Sequence, residues 1–421
     1  MARVEAHEVG ALLWAFSYFF ALLCGYYIVR PMRDEMGVAG GVDHLQWLFT
    51  ATFVVMLAAV PLFGWVSSRF ARRRFIPLVY YFFVANLLLF FALFRSELTH
   101  AWVARAFFVW ASVFNLFVVS VFWSFMADIF SNQQARRLFG LIAAGGTCGA
   151  LAGPVITTAL AVPLGATNLL PISALCLLWA VLCVHRLGAW SARQAGTLPG
   201  AQADQTASPM GGRLLDGVRL VLRSPYLLGI CVLMLLFTTL STFLYFQQAQ
   251  IIADRFADSD QRTSVFAAID LAVNGLTILL QILVTGRLVK AVGLAATLAL
   301  VPLMLAVGFV ALGLAPVLAV LVAVQVVRRA GNYAIMRPAR EMLFVVVGRE
   351  EKYKAKNFID TVVYRGGDAV SAWCYAGLQA LGFGLAQIAW LAVPLALLWG
   401  RLGHGLGRRQ THMAQSRGRA E

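Results

Sequence analysis

Residues 316–347 read PVLAVLVAVQVVRRAGNYAIMRPAREMLFVVV, a segment from Pro316 to Val347 long enough to cross a membrane, with Arg328 and Arg329 side by side near its middle. A helix needs about 20 mostly apolar residues to span the hydrocarbon core. A charge at bilayer depth is costly and persists where it faces a bundle interior or an aqueous cavity, so an intramembrane ionisable residue marks a functional site by default. Apolar runs of this length recur along the whole chain of 421 residues, which is 61% hydrophobic and only 13% charged. That is the composition of an integral membrane protein.

Twelve spans are predicted, near 11–30, 44–66, 75–95, 101–128, 138–163, 168–188, 226–249, 263–286, 292–312, 316–347, 355–381 and 384–401. Short cytoplasmic loops carry the excess of Lys and Arg, and this orients the bundle. Arg69, Arg72, Arg73 and Arg74 follow span 2; Arg136 and Arg137 follow span 4; Arg193, Arg213 and Arg223 follow span 6. Arg287 and Lys290 follow span 8, Lys352, Lys354 and Lys356 follow span 10, and Arg401, Arg408 and Arg409 follow span 12. The odd-numbered exits near 164–167, 313–315 and 382–383 carry no charge, and the one around Asp254–Arg262 is mixed. Both termini are therefore expected in the cytoplasm. The formal net charge of +15 reads as topology, scattered over loops, and not as a nucleic-acid surface.

The first apolar stretch has no small-residue cleavage site, so span 1 reads as an uncleaved signal anchor. Cys24, Cys148, Cys176, Cys183, Cys231 and Cys374 all fall inside predicted spans without paired spacing. They point to packing thiols, with no disulfide and no metal site.

The longest polar interruption, Ser191 to Ser224, divides six spans from six. Near its end Leu214, Leu215, Val218, Val221 and Leu222 recur at helical spacing with charges opposite, the pattern of a helix lying in the interface. The expected organisation is an N-terminal six-helix bundle over 1–190, a cytoplasmic linker with an interfacial helix over 191–224, a C-terminal bundle over 225–403 and a basic cytoplasmic tail over 404–421.

After span 2 comes Gly64-Trp65-Val66-Ser67-Ser68-Arg69-Phe70-Ala71-Arg72-Arg73-Arg74, and after span 8 comes Thr285-Gly286-Arg287-Leu288-Val289-Lys290. This pair resembles the glycine-and-basic loop in each half of major facilitator transporters, without the aspartate typical of that loop. The resemblance, the six-plus-six pattern and the central linker imply an all-α membrane protein with twelve transmembrane helices in two six-helix halves, the major facilitator fold. Span 5 carries Gly140, Gly145, Gly146, Gly149 and Gly153 before Pro154, similar to the glycine-proline helix 5 of that superfamily. Such a face serves either tight packing or a smooth surface on which the halves rock.

Spans 10 and 11 carry a narrower likeness. Arg328-Arg329-Ala330-Gly331-Asn332-Tyr333, then Arg337-Pro338-Ala339-Arg340-Glu341-Met342, then Lys356, Asp360, Arg365 and Asp368 follow the order of the ATP/ADP translocase family of nucleotide transporters. Arg329, Tyr333, Pro338, Arg340, Glu341, Met342, Lys356, Asp360 and Arg365 match it. Arg30-Pro31-Met32-Arg33-Asp34 resembles the family's Arg-x-x-Lys-Asp, and Phe122-Trp123 with Ala135-Arg136-Arg137-Leu138-Phe139-Gly140 resembles its helix 4–5 junction. Asn332 stands where the family has lysine, Arg337 where it has the aspartate before proline, and Asp368 where it has lysine. The resemblance implies a bacterial sister branch in the inner membrane, an antiporter of nucleotide-like anions; the departures leave the anion open.

Within spans 10 and 11, Arg328, Arg329, Arg337, Arg340 and Arg365 outnumber Glu341, Asp360 and Asp368, so an anionic small molecule is the expected partner beside the lipid bilayer. The alternative is salt-bridging within the bundle or snorkelling to the interface. The expected substrate-binding set is Arg30, Arg33, Asn115, Tyr245, Arg328, Arg329, Asn332 and Arg365, lining a central cavity. The expected coupling or ion-pair set is Asp34, Asp270, Arg337, Asp360 and Asp368. Span 1 is expected to end near residue 30, with Pro31 bending or loosening the helix there and Arg30, Arg33, Asp34 and Glu35 neutralising one another. Asp270, one turn from Asn274, is a candidate proton or cation coupling group or a structural hydrogen-bonding residue. A linear depth scale of about 1.5 Å per residue pairs Arg337 with Asp360, and Arg329 with Asp368 or with substrate.

A monomer without cofactor or nucleic-acid partner is expected. The competing class is a membrane sensor or partner-binding protein that keeps the transporter fold without turnover. No Walker loop, His-Glu-x-x-His or Gly-x-Ser-x-Gly motif is present, so no catalytic residue is expected.

Overall fold

In lipid, every backbone N–H and C=O must find its partner within the chain, which leaves a sequence of long apolar runs little choice but helix. The computed structural model describes residues 4–69, 72–96, 100–195, 214–348, 355–356 and 358–417, and none of these lies in a strand. The helices are α1 (Val9–Ala39), α2 (Leu45–Arg69), α3 (Arg72–Arg95), α4 (His100–Ile129), α5 (Asn132–Leu164), α6 (Leu169–Ala195), α7 (Leu214–Arg223) and α8 (Pro225–Arg255). They continue as α9 (Ser259–Leu280), α10 (Gly286–Leu314), α11 (Leu318–Gly331), α12 (Arg337–Leu343), α13 (Tyr364–Ala380) and α14 (Leu385–Arg417). Among the described residues, ten helical segments are long and apolar enough to cross a membrane.

Two compact units form: Met1–Gly41, Val54–Ser208 and Phe256–Leu271 make one, and Val42–Phe53, Pro209–Arg255 and Ala272–Glu421 make the other. The start of α9 thus packs with N-terminal helices, and the start of α2 packs with C-terminal ones.

In the first unit α1 and α5 lie in parallel and almost touch. Gly145, Gly149 and Gly153 of α5 face the carbonyls of Phe16, Phe20 and Cys24 of α1, a step of four residues on both helices. A Cβ on Gly149 would fall inside contact distance of the Phe20 oxygen, and one on Gly153 would sit 2.7 Å from the Cys24 oxygen. The glycine face is therefore occupied by α1 of the same unit, which is the packing alternative for this run. Gly149→Ala is expected to cost about 1–3 kcal/mol or more, because backbone cannot step aside as a side chain can. Gly140→Ala, where an added Cβ meets nothing within 4 Å, is the control. Thermal melts of the two purified variants in detergent would separate them.

The N-terminus of α5 is fixed by a capping box: the Ser131 hydroxyl accepts the Gln134 N–H at 3.3 Å, and the Gln134 side chain accepts the Ser131 N–H at 3.1 Å.

Three segments depart from α geometry: Gln281–Thr285, Asn332–Met336 and Ile359–Val363 are π-helical. A π turn misaligns the i→i−4 ladder and leaves carbonyls to be satisfied otherwise. Here the Thr285 hydroxyl stands within hydrogen-bond distance of the Ala334 carbonyl at 2.8 Å, joining two of the three segments. Gly293 breaks α10 with φ +78°, a conformation that only glycine adopts without strain.

Several expected boundaries are corrected. Helix α1 does not close at Pro31 but runs to Ala39, with Met32 and Val38 buried beyond the proline. Proline removes one donor and one ladder bond, and burial on the following turns outweighs that loss. Helix α14 continues from the last span into the stretch expected as a basic tail, as far as Arg417. Helix α6 runs into the expected linker as far as Ala195, and α7 forms where the interfacial helix was expected. Linker residues 196–213, with Arg213, and Lys352, Lys354 and 418–421 lie outside the described residues.

Candidate functional site

Charged side chains collect at two places, one in each unit. In the first unit, the last three turns of α1 meet the start of α9. Glu35 is fully buried, and its two oxygens take Nε and Nη2 of Arg262, each at 2.7 Å. The third nitrogen of the same guanidinium reaches the Phe256 and Ala257 carbonyls at 2.8 Å, so one arginine also holds the turn into α9. Asp260 accepts the Ala166 N–H at 2.7 Å. One face further along, Arg30 Nε stands 3.6 Å from the Asp270 carboxylate, which is 1% exposed. Arg33 forks onto its neighbour Asp34, with Nε at 3.0 Å, and lies over the Phe108 ring at 4.8 Å from its centroid.

These contacts correct one expectation. Arg33 and Asp34 neutralise each other locally, whereas Arg30 and Glu35 reach partners on α9, Asp270 and Arg262. Asn115 of α4 is half-buried on this unit and makes no hydrogen bond to a described residue.

The second unit holds the arginines of spans 10 and 11. Arg328 forks onto the Gln325 side-chain oxygen at 3.0 and 2.8 Å and reaches the Ser241 hydroxyl at 2.5 Å. Gln325 in turn donates to Gln248, and both glutamines are buried. Arg329 is buried beside it. On α13, Arg365 lies 3.8 Å from Asp368, which also stands 3.5 Å from the Thr242 hydroxyl. Tyr245 is half-buried against the Phe49 ring at 5.5 Å between centroids. Asn332 is half-buried at the first residue of its π segment.

The depth scale fails for the pair it favoured. Asp360 takes Arg340 at 3.5 Å, one helical turn beyond Arg337, and Arg337 is exposed, acting on the carboxylate only at longer range. Asp360 lies inside the π segment Ile359–Val363 and Arg337 directly follows the one at Asn332–Met336, so the direction in which each side chain faces departs from the straight-helix estimate. Glu341 is engaged by Lys356 at 2.5 Å.

Sequence reasoning overlooked Arg262 and Gln325. Arg262 falls in a mixed-charge stretch that reads as a solvated loop but forms the first turn of α9. Gln325 carried a readable signal, a lone amide in an apolar run three residues before an arginine, where side chains meet on one helix face.

Relatives and structures agree with this architecture. Over 93% of this chain and 86% of its own length, ADP,ATP carrier protein 1 of Chlamydia muridarum (strain MoPn / Nigg) is 22% identical. The solved nucleoside transporter NupG superposes with a TM-score of 0.65 at 14% identity, covering 97% of this chain and 99% of that one. The POT family transporter PepTSo does so with a TM-score of 0.65 at 12% identity, covering 96% and 98%. At such identities the structures speak for the fold alone. The sequence profile of the Major Facilitator Superfamily matches residues 10–348, and by that match over most of its length the chain belongs to this superfamily of membrane transporters.

Proposed function

We propose that the chain is a secondary active transporter of an organic anion, with nucleotide-like compounds the first candidates, working by alternating access around an arginine-lined cavity. The charge balance of spans 10 and 11 carries this reading. Arg328, Arg329, Arg337, Arg340, Arg365 and Lys356 stand against Glu341, Asp360 and Asp368. Each of the three carboxylates already lies beside a cation, Lys356, Arg340 and Arg365 respectively. Cations outnumber carboxylates in these two spans, and an anionic substrate would add counter-charge at membrane depth through forked guanidinium contacts. A relative that is an ADP,ATP carrier and a structural neighbour that is a nucleoside transporter support nucleotide-like compounds as the place to begin.

The fold in this reading has twelve spans in two halves, 1–190 and 225–403, with both termini cytoplasmic in a bacterial inner membrane. Two features support that count over ten. The 56-residue run Ser259–Leu314 is divided at Gly293 and serves as two passes. Ile359–Val363 with α13 forms a further continuous helical run.

The test is uptake of labelled ATP, a sugar phosphate and a dicarboxylate into proteoliposomes, with and without the same compound inside. Accumulation that rises with internal counter-substrate is the expected result for an antiporter. Neither uptake nor exchange of any of them would favour a sensor that keeps the transporter fold.

A further inference from the structure

Arg328, in the second unit, is gripped on both arms by neutral side chains, whereas Arg340, Lys356 and Arg365 of the same unit stand beside Asp360, Glu341 and Asp368. Gln325 and Arg328 lie three residues apart on α11 and so share a face. The one side-chain oxygen of Gln325 takes both Nε and Nη2 of the guanidinium, at 3.0 and 2.8 Å, and the Ser241 hydroxyl of α8 takes Nη1 at 2.5 Å. The Gln325 amide nitrogen donates to the Gln248 oxygen, which keeps the Gln325 oxygen turned toward Arg328. Gln325 is 2% exposed and Gln248 3%, so water does not loosen this arrangement.

Glutamate has the length of glutamine and offers two oxygens, the usual forked partner of a guanidinium. At membrane depth it would also stabilise the bundle more, since a buried cation is costly unless opposite charge lies against it. Glutamine at 325 gives the same reach and the same fork without cancelling charge. Fixing the arginine in the bundle accounts for an acceptor at this position but not for a neutral one. An anion that arrives and leaves accounts for both.

We infer that Gln325 is a positioning residue of the anion site: its amide, oriented by Gln248, holds the Arg328 fork in place while leaving the positive charge of the site undiminished for the substrate. This rests on the anion-transport reading above. A purely structural Gln325 and a charge-preserving one differ in which substitution does the most harm. If Gln325 only places the arginine, glutamate, which keeps the fork, is tolerated and leucine is not; if its neutrality matters, glutamate is the worse of the two.

Isothermal titration of the purified protein in detergent with ATP, glucose 6-phosphate and succinate tests this, using whichever of the three the parent protein binds. Gln325→Glu should weaken that anion by about 10- to 100-fold, the size of one charge-assisted contact, and Gln325→Leu should weaken it less. Ser241→Asp, which sets a carboxylate against the other arm of Arg328, should likewise weaken it more than Ser241→Ala does. The Ser241 pair decides by itself if Gln325→Glu does not fold. Anion affinity unchanged in the variants that add a carboxylate, or reduced no more than in Gln325→Leu and Ser241→Ala, would overturn the inference and leave Gln325 a packing residue while the anion reading stands. A parent protein that binds none of the three anions would overturn the anion reading and this inference with it.

Discussion

Arg262→Met is expected to destabilise the protein by about 3–5 kcal/mol, because it leaves the Glu35 carboxylate buried without its ion-pair partner. Glu35 has 0% side-chain exposure and Arg262 13%, so water cannot replace the guanidinium without opening the packing around it. The pair is bidentate at 2.7 Å on both arms, and the remaining nitrogen ties two carbonyls of the turn before α9. Glu35→Gln combined with Arg262→Met should recover a large part of the loss, since replacing a buried pair as a whole is often close to neutral. The difference between the double variant and the sum of the single ones measures the coupling directly. Tryptophan-monitored denaturation in detergent is the readout. A single variant within about 0.5 kcal/mol of the parent protein would mean that the pair does not hold α9 to α1.

Composition and apolar length made the class of this protein legible, because lipid accepts few backbone solutions. Ten helical segments long and apolar enough to cross a membrane, among the described residues, follow from the same ruler. Where the reading went astray, a local rule met tertiary packing. Pro31 looks like a helix end in isolation, but the residues after it are buried and keep the helix going. Asp270 looks solitary along its own span, because its partner Arg30 is 240 positions earlier in the chain. Arg337 and Asp360 look level on straight helices, but Asp360 lies within one π segment and Arg337 directly follows another, and nothing in residue type announces a π turn. The arginines of span 10 were findable because guanidinium groups inside an apolar run are rare enough to be read one by one. Their neutral partner Ser241 was not, since a single hydroxyl blends into a membrane helix, whereas Gln325 was overlooked despite its readable spacing from Arg328.

The second large effect concerns the anion itself. Arg329→Ala and Arg365→Ala are each expected to weaken binding of the proposed anionic substrate by about 10- to 100-fold while the protein stays folded and extractable, the loss of one charge-assisted contact being worth about 1.5–3 kcal/mol. Arg328 is the poorer choice for this test. Its guanidinium is woven into Gln325 and Ser241, so its removal would disturb the polar network that places its neighbours. Arg365 differs in kind: its side chain is 34% exposed and its Asp368 contact is long, at 3.8 Å, so an incoming anion can compete for it. Arg329 is buried, and its charge contributes at short range in a setting of low dielectric, where a phosphate or carboxylate gains most. Lysine at either position should restore only part of the affinity, because the planar fork that grips two oxygens is lost while the charge remains. The measurement is the ligand-induced rise in melting temperature across ATP, ADP, a sugar phosphate and a dicarboxylate, which follows from linkage between binding and folding. If one of these anions stabilises the parent protein and both alanine variants equally, the excess positive charge of spans 10 and 11 serves the packing of the bundle and the substrate is bound elsewhere.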